Sequence, residues 1–96
     1  MIITTDILYA IADWARVTGA RVTGVYHYAH IGRGVTVSVD IAAFRAAFAG
    51  AAVDVARGGP GHNYDVWYGP DMGGWCAEAT TTTFGAVERV VERVTL

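Results

Sequence analysis

Three observations place this chain in the α+β class. Apolar residues recur at helical spacing after Thr4 and again after Asp40. Two runs of alternating or β-branched residues follow these segments, each folded back at a glycine-containing turn. Helices interleaved with hairpins lead to an antiparallel sheet covered by helices rather than to parallel winding. The expected order is α-β-β-α-β-β-α: four to five strands from two hairpins, with helices packed on one face. At 96 residues the chain has room for one core, so residues 1–96 are expected to form a single domain.

The first helix is predicted over residues 6–17. Thr4, Thr5 and Asp6 supply capping oxygens and a carboxylate at its positive end, and Ile7, Leu8, Ile11, Trp14 and Ala15 share one face. Gly19 stops it. The first hairpin runs from Arg21 to Asp40 and turns at Gly32-Arg33-Gly34, with Val35, Val37 and Val39 alternating against Thr36 and Ser38. A tip at Gly32 and Arg33 would set Tyr26, Tyr28 and His30 opposite Val39, Val37 and Val35 on the inner face.

Asp40 caps a second helix carrying Ile41, Phe44, Phe48 and Val55 on its apolar side. Gly50 interrupts it at a cost of about 1 kcal/mol relative to alanine. The longer helix is favoured, and the alternative ends it at Ala49 and makes 51–57 a strand. The second hairpin pairs Tyr64–Tyr68 with Trp75–Ala79 across a turn containing Pro70 and Asp71. One face is expected to collect Tyr64, Val66, Tyr68, Trp75, Ala77 and Ala79; Asp65, Trp67, Cys76 and Glu78 fall on the other. Thr80–Thr83 then cap a last helix whose stripe is Phe84, Val87, Val90, Val91 and Val94, a valine-rich helix that must lean on tertiary packing.

Composition excludes several function classes. Apolar residues make up 53% of the chain and charged residues 17%, which rules out extended disorder. The longest apolar stretch, Ile41 to Ala56, carries Arg45 and Asp54 and is too short to span a bilayer; Met1-Ile2-Ile3 lacks the form of a secretion signal. A single cysteine, Cys76, precludes an internal disulfide, and a cytoplasmic setting is expected. The cations are seven scattered arginines with no lysine, against nine acids, a net charge of −2 that argues against nucleic-acid binding.

Candidate chemistry is sparse. His27 and His30 point to opposite faces of a strand, and with His62 and Cys76 they show no metal-ligand spacing. No cofactor is implied. Cys76 with His62 and Asp65 could be drawn as a nucleophilic set, but a mid-strand cysteine beside tryptophan is ordinarily a packing residue. Asp65 and Glu78 could face each other as paired carboxylates. The clusters at Gly32–Gly34 and Gly58–Gly61 match neither the P-loop nor the dinucleotide fingerprint and read as turns.

What remains is surface. The alanine side of the second helix (Ala42, Ala46, Ala49), the Trp67 face of the second hairpin, and its turn (Tyr68, Met72, Trp75) carry few charges, and tryptophan and tyrosine are enriched in interface hot spots. The expected function is a non-catalytic protein–protein interaction module that binds a protein partner, itself, or both. Small motif-free chains of this size are common among phage and mobile-element accessory proteins, including inhibitors of host defence such as anti-CRISPRs. The alternative is a small oligomeric enzyme or ligand binder with a pocket lined by Tyr26, Tyr28, His30 and Tyr64. In element order alone, Tyr64 to Val94 is similar to double-stranded-RNA-binding and antitoxin folds, which implies a nucleic-acid binder as a third reading.

Overall fold

A computed structural model describes residues 3–28, 34–59, 61, 63–82 and 88–96. Among them are two helices and one six-stranded sheet in the order β1-β2-β5-β4-β3-β6. The elements are α1 (Thr5–Thr18), β1 (Val22–Tyr28), β2 (Gly34–Val39), α2 (Ile41–Ala47), β3 (Ala52–Arg57), β4 (Tyr64–Tyr68), β5 (Trp75–Thr82) and β6 (Val90–Thr95). The α+β class is as expected, but the sheet is mixed: β2 and β5 run parallel while every other pair is antiparallel. The reason lies in α2. It lifts the chain out of β2 and carries it across the sheet, so that β3 enters beyond β4 and the β4–β5 hairpin folds back to set β5 beside β2.

The helix ends follow local chemistry. Thr4 accepts the Ile7 N–H at 3.3 Å, and Gly19 closes α1 in the left-handed region at φ 73°. Asp40 caps α2 by accepting the Ala43 N–H at 3.1 Å, and its other oxygen holds the Arg21 N–H at 2.9 Å. These two backbone donors, that of Arg21 foremost, keep the Asp40 carboxyl below the usual carboxylate range.

Two expected helices give way to strands. The long second helix stops at Ala47, Gly50 turns the chain at φ 80°, and residues 52–57 are a strand. Alternation of buried Val53 and Val55 with exposed Ala52 and half-buried Asp54 shows why period two wins there. The last helix is replaced over residues 90–95 by β6, which pairs with β3 along its whole length; residues 83–87 lie outside the described residues. β-branched Val90, Val91 and Val94 suit a strand better than a helix. The chain end is tied down as well, with the Gly50 N–H donating to the Leu96 carbonyl at 2.6 Å and the Leu96 N–H to Ala51 at 3.0 Å.

Both hairpins pair three residues away from the expected register, and an odd shift exchanges the faces. In the first, Tyr26 opposes Thr36, while Val25 and His27 oppose Val37 and Val35. In the second, Trp67 opposes Ala79 and Tyr68 opposes Glu78. Burial decides it: this arrangement puts Trp67, Trp75, Ala77 and Ala79 on the helix-covered face with Val35, Val37, Val39, Val53 and Val55. Ile11, Phe44 and Phe48 close that core from above, where Trp14 stacks on Phe48 at 5.9 Å and meets Trp75 edge-on at 5.6 Å. The Asp71 carboxylate fixes the turn by accepting the Gly73 and Gly74 N–H groups at 3.4 and 3.3 Å. Among the described residues, no helix is long and apolar enough to cross a membrane.

Candidate functional site

The exchanged faces redistribute the residues singled out from the sequence. Trp67 and Trp75, expected on a contact surface, are 8% and 1% exposed and belong to the core. Met72 is half-buried against the same core, Tyr68 is half-buried on the opposite sheet face, and Ala42, Ala46 and Ala49 are exposed on and just after α2. Asp65 and Glu78 point to opposite faces, since Asp65 pairs with Thr81 and Glu78 with Tyr68, and so they form no carboxylate pair. Cys76 is buried beside Thr36, with its Sγ 3.8 Å from the Thr36 hydroxyl; His30, His62 and Arg33 lie outside the described residues. Tyr26 and Tyr64 share a face, but two strands separate β1 from β4. That spacing is about 14 Å at the usual strand separation, so the two rings do not line one pocket.

Three arrangements emerge that sequence reasoning missed. The first surrounds Trp67. Its indole N–H donates to the Thr81 hydroxyl at 2.8 Å, and the guanidinium carbons of Arg45 and Arg57 lie 5.6 and 5.5 Å from its ring centroid. Arg57 also donates to buried Asp65 at 3.1 Å and to Glu92 at 3.4 Å, and Asp65 accepts the Gly58 N–H at 2.9 Å. The bond to Asp65, which outweighs the opposing effect of burial, holds Arg57 above its ordinary pKa. The ensemble caps the end of the core with cations and leaves the indole little exposed.

The second arrangement is a polar row on the face away from the helices. Cross-strand register aligns Ser38, Glu78, Tyr68, Asp54 and Arg93 on five successive strands. Glu78 is buried, and Arg93 reaches Asp54 with its Nε at 3.1 Å and a terminal nitrogen at 3.5 Å. A cleft of about 240 Å³ opens where this row meets the β4–β5 turn, lined among others by Asp54, Tyr68, Asp71 and Arg93. Single-sequence reading could not find the row, because it exists only once six strands have taken their order.

The third is the pair of strands that end the sheet among the described residues, and they differ in kind. β6 carries Glu92 and Arg93, both engaged with β3 partners. β1 reads Val-Thr-Gly-Val-Tyr-His-Tyr, with no carboxylate, lysine or arginine. Val22, Val25 and Tyr26 on it are 38%, 37% and 45% exposed. A bulge sits between Val22 and Gly24, leaving Gly24–Tyr28 regularly paired to β2. Charges and bulges are the usual guards of an edge strand; here the guard covers only the first residues. No family model, curated protein or solved structure matches the chain.

Proposed function

We propose that the protein is a non-catalytic protein–protein interaction module that takes up an extended strand at its β1 edge. The uncharged, partly apolar edge over Gly24–Tyr28 carries this reading. An edge strand presents a row of backbone donors and acceptors that another strand satisfies, and side-chain contacts on the two faces add selectivity. With Trp67 and Trp75 buried, the exposure of Val22, Val25 and Tyr26 supports a contact surface at this edge. The cytoplasmic, single-domain accessory role, with an inhibitor of host defence as its example, belongs to the same proposal and rests on size and composition alone. The test is capture of binding proteins from a native-host lysate by the wild-type chain and by Val25→Lys, which adds a charge to the open edge. Proteins retained by the first and lost by the second, with circular dichroism unchanged, support strand addition; identical capture overturns it.

The cleft favours a second reading, a binder of small polar ligands. Asp54, Asp71 and Arg93 offer both carboxylate and guanidinium groups beside Tyr68. A thermal-shift screen with free amino acids as probes tests it: a stabilisation lost in Asp54→Asn supports the cleft, and no shift with any of them counts against it.

A further inference from the structure

We infer that β6 is a strap that unfastens from β3 while the rest of the sheet stays folded, and that the β3 edge beneath it accepts an extended segment in which a carboxylate is followed directly by a guanidinium. In the closed fold that segment is β6 itself. The site lies across the sheet from β1, and its occupancy is independent of strand uptake there.

Burial sets how firmly a strand is held. None of the six residues of β6 is buried: Val90 and Val91 are 46% and 64% exposed, and only Val94 is half-buried. β3, by contrast, gives Val53 and Val55 to the core. Among the described residues, β3 is the only strand neighbour of β6, while α2 lies over β5. Two ion pairs cross from β6 to β3, Arg93 to Asp54 and Glu92 to Arg57, but the β6 side chains in both are open to water, and such pairs add little to stability. What remains is the ladder and its two ends. At one end the backbone of Arg89 is seated on Gly59, where a Cβ would come within 3.3 Å of the Arg89 nitrogen. At the other, Leu96 is half-buried against the core and exchanges backbone bonds with Gly50 and Ala51. Arg89 is the pivot and Leu96 the latch. An element with so few buried contacts opens at a lower free energy than the whole fold.

The edge under the strap is selective. Glu92 lies opposite Val55 and reaches diagonally to Arg57, on the helix-covered face; Arg93 lies directly opposite Asp54 on the other face. An incoming strand therefore meets a guanidinium on one side and a carboxylate on the other. The order Glu-Arg satisfies both, and the reversed order sets like charges together. Backbone groups of β3 supply the rest of the attraction, as in other strand additions.

The register provides a readout inside one strand. The Leu96 N–H donates to Ala51, so by alternation the amides of Val53 and Val55 face β6, whereas those of Asp54 and Ala56 face β4. Native-state hydrogen exchange followed by NMR should show protection at Val53 and Val55 at least about tenfold below that at Asp54 and Ala56. Leu96→Asp, which puts a charge at the latch, should lower the first pair by about a further tenfold and leave the second unchanged. A synthetic peptide of residues 90–96, added to the Leu96→Asp chain at about 1 mM to match the effective concentration of a tethered segment, should restore protection at Val53 and Val55. The same peptide with Glu92→Arg and Arg93→Glu should not. Equal protection of the two pairs in the wild type, indifference to Leu96→Asp, or general unfolding of that variant overturns the strap. Failure of the native peptide to restore protection, or equal rescue by the exchanged one, overturns the acceptor site.

Discussion

Replacing Asp65 with alanine tests the packing of the Trp67 end of the core most directly. Asp65 is 5% exposed, and its two oxygens have separate duties, one accepting the Gly58 N–H at 2.9 Å and the other Arg57 at 3.1 Å. Alanine leaves the buried Gly58 amide without its acceptor, a loss of about 1–3 kcal/mol. It also strands part of the Arg57 charge. Breaking a fully buried pair costs roughly 3–5 kcal/mol, but the Arg57 side chain is 37% exposed and keeps Glu92 at 3.4 Å, so only a fraction applies. The sum is about 3 kcal/mol, a large part of the stability of a small domain. Asp65→Asn retains an acceptor for Gly58 and should cost about half as much. Urea unfolding at neutral pH, followed by circular dichroism, measures each variant, and a double-mutant cycle with Arg57→Ala should return a coupling of about 1–2 kcal/mol. The raised pKa of Arg57 means that its contribution is complete below the ordinary guanidinium value and is lost only as pH rises through the still higher folded one, so neutral conditions report it in full. A loss for Asp65→Ala below about 0.5 kcal/mol, or a coupling of zero, would refute the reasoning.

Further predictions concern backbone, indoles and pH. Gly50→Ala meets no atom within 4 Å, so its cost is the left-handed backbone alone: about 1 kcal/mol, seen as a fall of about 5 °C in the thermal midpoint. Trp67→Phe should destabilise more than Trp75→Phe by about 1 kcal/mol in urea unfolding. The first breaks the bond to Thr81, whereas the second removes a buried indole N–H that has no acceptor among the described residues. Asp40 has a depressed pKa, so its stabilisation is present above its unfolded value of 3.8 and lost as pH falls through the lower folded value. Urea midpoints should therefore fall more steeply on acidification in the wild type than in Asp40→Asn, and parallel curves would contradict the assignment of the cap.

Sequence reading succeeded wherever a few neighbouring residues decide the outcome and failed where distant strands do. The caps at Thr4 and Asp40 and the glycine stop at Gly19 were legible because donor and acceptor lie within four residues of each other. Positions 52–57 were ambiguous because their apolar residues satisfy a helical stripe and a strand alternation alike, and only pairing with β4 and β6 resolves them. Faces in the hairpins went the other way for a related reason. Tyr64, Val66 and Tyr68 look as buriable as Asp65 and Trp67 until Asp65 finds Arg57 and Gly58 and Trp67 finds Thr81. None of those partners lies closer than seven residues in the chain.

Composition and local pattern by themselves determined the α+β class, the first helix, the two hairpins and the absence of charge along residues 22–28. Tertiary structure alone decided that β5 runs parallel to β2, that Val90–Thr95 is a strand, that the tryptophans face inward, and that β1 ends the sheet among the described residues. Hydrogen bonds and steric limits between near neighbours act before the chain has any shape, whereas burial is shared among all strands and acquires a direction only when they assemble.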